Sequence, residues 1–240
     1  MRLLRTNLDR LKNHCEGVSQ EGKNRMTRAG RWIRFGLVLL LPAVLASCLG
    51  SATPPQPVYY YTLHYEPPSM QQLNHLPCTL RVERFSVSPP YNSQRIIYAR
   101  DDLRRNAYAY NQWIVSPGEL LPYFFARDLR QSNGFRAVLT PDSPLPATHS
   151  LYGWVEEFSE LDSASQWQAS AIIHISLISN LEKDPTRKIL LQKRYKALES
   201  CKAKTPEALA RAMSAAVADI STRVVQDLHD RLSSVGTLKY

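Results

Sequence analysis

Residues 166–180 read Q-W-Q-A-S-A-I-I-H-I-S-L-I-S-N, and the phase of this stretch decides the fold class. Trp167, Ala169, Ala171, Ile173, Ile175 and Leu177 fall on every second position. That is the period of a strand with one buried face, not the period of about 3.6 that a helix needs. Upstream, Leu151–Leu161 reads as a second long strand; downstream, Arg187–Glu199 reads as a third. The polar connections Asp162-Ser163-Ala164-Ser165 and Glu182-Lys183-Asp184-Pro185 suit hairpin turns, so the three strands are predicted to form an antiparallel meander.

Shorter strands are predicted before it. Val58–Tyr65 is β-branched and aromatic and is closed by Pro67-Pro68. Thr79–Val87 alternates with a phase slip near Glu83-Arg84, the mark of a bulge, and Pro89-Pro90 ends it. Arg95–Arg100 and Ala107–Tyr110 flank a charged turn at Asp101-Asp102, and Phe135–Leu139 is a further short strand. Two helices are predicted. Ser116-Pro117-Gly118-Glu119 has the form of an N-cap with a capping box, and Asn133-Gly134 ends the helix. Pro122 lacks the N–H of the first turn, which places the regular helix start nearer Leu121. Thr205 caps the second helix, Pro206 to about Leu232, whose stripe Leu209, Met213, Ala216, Ile220, Val224, Leu228 and Leu232 faces the core, with a frayed tail from Ser233. The expected fold is therefore α/β (α+β): a mostly antiparallel sheet of about seven to eight strands with two main helices, in one domain.

Charge is unevenly placed along the 240 residues. The chain has 30 Lys+Arg and 21 Asp+Glu, a net +9. Residues 1–47 hold nine basic and three acidic side chains, a net +6, which leaves only +3 on the remainder. A nearly neutral body removes most of the electrostatic case for nucleic-acid binding. The basic segment precedes F-G-L-V-L-L-L-P-A-V-L-A-S-C-L, a 15-residue run from Phe35 to Leu49 interrupted by Pro42. A spanning helix needs ~20 apolar residues. A basic region, a short apolar region and small residues at the exit describe an export signal.

Leu45-Ala46-Ser47-Cys48 resembles a bacterial lipobox. The peptidase would recognise Leu45, Ala46 and Ser47, and the Cys48 thiol would become the acylated first residue. One acyl chain holds a membrane only marginally, at ~0.8 kcal/mol per buried CH₂, so several chains are needed for a stable anchor. Residues 1–25 are polar and lie outside this pattern; translation is expected to start at Met26, 22 residues before the cleavage point. A precursor peptide from residues 1–25 in mass spectrometry would overturn that expectation. The expected division is 1–47 cleaved signal segment, 48–57 lipidated Pro-rich tether and 58–235 globular domain. Leu49, in place of the Asp that retains lipoproteins at the inner membrane, points to the periplasmic face of the outer membrane.

Export leaves two further thiols, Cys78 and Cys201, in an oxidising compartment. They form either one disulfide closing a long loop or two separate buried thiols. No G-x-S-x-G, H-E-x-x-H, Walker loop, G-x-G-x-x-G or C-x-x-C occurs, and nine Gly are few for phosphate-cradling loops. His174 reads as a surface or sheet residue and not as a base. Glu156 and Glu160 are expected to share a strand face without a His partner. No enzyme, cofactor or metal is therefore expected. Aromatic richness on the early strands, including Tyr98, Tyr108, Tyr110 and Trp113, reads either as core packing or as a contact surface of the composition favoured at interfaces.

The order lipobox, Y-Y-Y-T-L, L-R-V-E-R-F, P-P-Y-N-S-Q-R-I-I-Y-A-R, Y-A-Y-N-Q-W and a Pro-opened helix resembles the ABC-type transport auxiliary lipoprotein family, the PqiC-like group, over most of residues 58–230. The resemblance implies an accessory subunit of an envelope transporter with an inner-membrane permease and ATPase. It further implies a periplasmic MCE-domain partner, phospholipid or another hydrophobic cargo, and rings in some members. Tyr98, Tyr108, Tyr110 and Trp113 match the family's aromatic stretch and are the expected partner surface. The rival expectation is an outer-membrane assembly lipoprotein that partners a β-barrel or lipopolysaccharide machinery.

Overall fold

The computed structural model describes residues 54–70, 73–101, 103–163 and 166–237, with side chains to residue 234. The chain divides into two units, Met1–Pro55 and Gln56–Tyr240, and the fold below is that of the second. It contains strands β1 (Tyr59–Tyr61), β2 (Leu76–Val82), β3 (Ser86–Val87), β4 (Arg95–Ala99) and β5 (Arg105–Trp113), then helix α1 (Pro117–Gln131) and β6 (Phe135–Leu139). After these come β7 (His149–Asp162), β8 (Trp167–Ser179), the short helix α2 (Pro185–Lys188), β9 (Ile189–Ser200) and α3 (Pro206–Thr237).

β7 is the spine of the nine-stranded sheet. Along one edge it pairs antiparallel with β8 from His149–Ser179 to Asp162–Trp167, and β8 pairs antiparallel with β9. The predicted meander is thus present. Along the other edge β2, β3 and β4 lie end to end, all parallel to β7. β6 extends β2 in parallel, β5 extends β4 antiparallel, and β1 closes the order parallel to β5. The sheet is mixed, which corrects the mostly antiparallel expectation. The physical reason is the connection: a parallel neighbour needs a long crossover, here through α1 between β2 and β6. Such pairings leave no turn signal beside the strands.

Helices α1 and α3 cover one sheet face. The α3 stripe from Leu209 to Leu232 is buried throughout, packed with Val155, Ile173 and Tyr195 of one sheet row and Phe158, Ala171 and Ala197 of another. Each large apolar side chain of that stripe contributes ~1.5–3 kcal/mol by leaving water. The Thr205 hydroxyl accepts from the Ala208 N–H at 3.2 Å as the cap. The helix continues past Ser233 to Thr237, beyond the expected fraying point.

α1 begins at Pro117 despite Pro122, correcting the later start. The Gly118 carbonyl, which a residue-122 N–H would have taken, instead accepts the Phe85 N–H at 3.4 Å. Ser116 caps through its carbonyl, which accepts from Glu119 and Leu120, and its side chain makes no capping bond. At the other end Asn133 takes the left-handed φ of 54° that ends a helix.

Cys78 and Cys201 are free thiols. The β2 register puts Cys78 near the His149 end of β7, whereas Cys201 bonds the Trp167 carbonyl opposite Asp162, at the other end. About a dozen residues at ~3.3 Å each separate those ends along the strand, far beyond the ~7 Å that a disulfide spans. The bonded alternative therefore gives way to two separate thiols. Burial pushes both up to about 11.

Candidate interaction surfaces

The register of β7–β8–β9 builds a surface on the face away from the helices. Val155, Ile173 and Tyr195 point inward and are fully buried, so the adjacent rows point outward. One row is Trp154, His174, Arg194; the next is Tyr152, Ser176, Gln192. Trp154 and Tyr152 are 42% and 44% exposed. The Trp154 and His174 rings lie 4.7 Å apart. Beyond the register shift between Val155 and Glu157 the parity of β7 reverses, but Glu156 keeps the face of Trp154 by simple alternation. Its carboxylate accepts Arg194 Nε and an Arg194 terminal nitrogen at 2.7 and 2.8 Å, and lies 2.5 Å from His174 Nε2. The bonds from Arg194, then from His174, hold the Glu156 carboxyl down to about 2. The result is a Trp/Tyr/Arg surface fixed in place by a two-pronged ion pair.

That bulge corrects one expectation. Glu160 pairs with Ala169 on the helix-facing side, so Glu156 and Glu160 lie on opposite faces. Glu160 is buried, desolvation raises its pKa, and it accepts the Tyr108 hydroxyl at 2.8 Å. Burial, then Glu160, raises the Tyr108 pKa in turn.

The four aromatics expected at the partner surface separate. Trp113 is 1% exposed and packs edge-on against Phe158 at 5.2 Å, so it is core and no contact residue. Tyr98 and Tyr108 are half-buried with rings 5.1 Å apart, and the Arg100 guanidinium lies over Tyr98 at 5.6 Å. Tyr110 alone of the four is open to solvent. Tyr152, Trp154 and Arg194 were missed, although the signal was present: two large aromatics occupy the outward phase of a strand whose inward phase is Leu151, Gly153, Val155.

The expected lipidation residue Cys48 and its recognition residues Leu45, Ala46 and Ser47 lie outside the described residues. A cleft of about 640 Å³ is lined by Pro67, Met70, Leu73, His75, Ser132 and Asn133, among others. Among the described residues, no group of three or more His, Cys, Asp or Glu side chains could hold a metal ion, and no helix is long and apolar enough to cross a membrane.

Two groups of polar side chains join elements in the interior. Asp128 on α1 accepts Tyr65 at 2.8 Å and Ser221 on α3 at 2.6 Å, and it pairs with Arg127 at 2.8 Å. Tyr195 on β9 donates to Asp227 on α3 at 2.6 Å, and Lys193 approaches the same oxygen at 2.7 Å.

No curated protein matches the chain. Among solved structures, protein XCC0632 from Xanthomonas campestris, of family DUF330, is similar at a TM-score of 0.63 and 16% identity, covering 75% of this chain and 99% of that one. An uncharacterized protein is similar at a TM-score of 0.56 and 14% identity, covering 72% of this chain and 99% of its own. At such identities the likeness is one of fold. The family model described as ABC-type transport auxiliary lipoprotein component matches residues 61–225. That match begins in β1, ends within α3 and takes in more than half of the sequence; the chain belongs to the ABC-type transport auxiliary lipoprotein component family.

Proposed function

We propose that this protein is a non-catalytic subunit of an envelope ABC-type transport system. Acylated Cys48 holds it at the periplasmic face of the outer membrane, and a periplasmic MCE-domain protein joins it to the inner-membrane permease and ATPase. The cargo is phospholipid or another hydrophobic molecule. The observation that carries this reading is the family match over residues 61–225. The part played by the domain is docking. Its partner surface is the outward face of β7–β9, because Trp154, Tyr152 and Arg194 are the residue types that dominate binding energy and stand here on a rigid sheet.

Affinity purification of the tagged protein from crosslinked cells tests the reading. MCE and ABC subunits are expected. Recovery of a β-barrel instead would favour an assembly lipoprotein and overturn it. Trp154→Ala is expected to cut recovery about 10-fold or more, the effect of losing ~2 kcal/mol at a hot spot. Its unfolding midpoint should hardly move, because the indole is half exposed. The anchor is checked separately: labelled palmitate should mark the wild type, and Cys48→Ala should lose both the label and its envelope fractionation.

A further inference from the structure

We propose that the corner formed by β1 and the end of β5 is a bilayer-contact surface, with Val58, Tyr60 and Tyr110 lying in the lipid headgroup region. This inference rests on the Cys48 anchor proposed above. Tyr59 and Tyr60 are 57% and 56% exposed, Ile114 is 48% exposed, and Val58 and Tyr110 are also open. The parallel register Tyr59–Asn111, Tyr60–Gln112 puts Tyr60 and Tyr110 on one face, and the exposed Val58 immediately precedes β1 at that corner. Gln112 is also opposite Arg95 of β4, so Tyr60, Gln112 and the exposed Arg95 make one row across three strands. An apolar and phenolic patch with a guanidinium at its margin suits the boundary where rings enter the acyl region and hydroxyls and cations meet headgroups.

Chain length makes the bilayer the favoured occupant. Nine residues separate Cys48 from Val58. At ~3.3–3.6 Å each they reach about 32 Å at most. A domain of this size has a radius of gyration of about 16 Å, hence a diameter of about 40 Å. The anchor therefore keeps β1 closer to the bilayer than the far side of the domain can be. A patch too weak to bind a membrane alone acts there at high effective concentration. The outward Trp154 row of the meander carries no such tether.

The test uses the mature acylated protein in phosphatidylethanolamine/phosphatidylglycerol vesicles whose acyl chains are brominated. In a Trp154→Phe background, Tyr60→Trp or Tyr110→Trp adds one exposed indole to the buried Trp113 and Trp167. Emission from either added indole is expected to be quenched several-fold more than that of Trp154 in the protein without these changes. Two positions are used so that a folding defect in one leaves the other readable. If the protein floats with vesicles but neither indole is quenched more than Trp154, the patch does not touch lipid and the inference falls while the anchor stands. If the two indoles are shielded only by crosslinked pairing of two copies through β1, a second copy is the occupant and the inference likewise falls. If the protein carries no palmitate and does not float, the anchor reading fails first and takes this one with it.

Discussion

The two edges of β7 are held by different means. On the β8 edge an antiparallel ladder, broken by one bulge at Glu156, runs the length of both strands. On the other edge β2, β3 and β4 each contribute only two or three registered positions, with breaks between them. A long ladder fixes its own register through backbone bonds and alternating burial. Short parallel segments cannot, and side chains do that work here. Phe85, in the break between β2 and β3, lies against Gly153 of β7 and packs edge-on to Phe125 of α1 at 5.4 Å. Asp128 ties α1 to α3 and to Tyr65, in the segment after β1. The short-strand side is therefore where single substitutions should be most damaging.

The largest effect is expected at Asp128. Asp128→Ala leaves Tyr65, Ser221 and Arg127 without their buried acceptor, and removing one partner of such a group costs about 3–5 kcal/mol. Urea unfolding should show it as a lower midpoint with little change in slope. Asp142→Ala, which removes the exposed Arg84–Asp142 pair, should be close to neutral. Equal losses at the two positions would erase the distinction between clamp and surface pair.

Next come the glycines against Phe85. A Cβ at Gly153 would stand 2.4 Å from the Phe85 ring, and one at Gly118 would stand 2.6 Å from the Phe85 carbonyl oxygen. Gly153→Ala is expected to cost about 1–3 kcal/mol, as overpacking does. Gly118→Ala should cost at least as much, because its obstacle is backbone, which yields less than a ring. Thermal unfolding of both variants measures this. A third variant, Phe85→Leu with Gly153→Ala, should recover part of the loss if the ring is the obstacle.

The same contrast explains what could be read from the sequence. Residues 151–199 carried their answer locally: alternation at Ala169, Ala171 and Ile173, and polar turns between strands. The α3 stripe was equally plain. The parallel order was not legible, because β2 and β4 meet β7 only after a chain excursion through β5, α1 and β6, and nothing near Leu80 or Ile97 encodes that distance. The phase slip near Glu83-Arg84 was visible, but the ring it positions was not. At the candidate surface, composition drew attention to Trp113 because it sits in a tyrosine-rich run. Its burial against Phe158 depends on strands brought together from remote sequence. Alternation alone puts Glu156 and Glu160 on one face, and the one-residue bulge that separates them reverses parity without changing composition.

The smallest effect concerns acid. Glu156 is held down to about 2 by Arg194 and His174, against 4.5 for the free side chain. A carboxyl lowered on folding stabilises the folded state at pH values above its unfolded pKa, and that stabilisation is lost as pH falls through the folded value. The wild type should therefore lose this increment between about pH 4.5 and pH 2, whereas Glu156→Gln should have a flatter midpoint-against-pH curve over the same window. Above pH 5 the two curves should run parallel. The pair is exposed and screened by salt, so the difference should be modest and should shrink further at high ionic strength. Partner capture separates the two roles of this ion pair. If Glu156 only tethers Arg194, Glu156→Gln should weaken capture less than Trp154→Ala does, because the neutral amide still accepts a bond from the guanidinium. A loss as large as that of Trp154→Ala would mean that the carboxylate itself meets the partner, and the center of the surface would move from the indole to the charge pair.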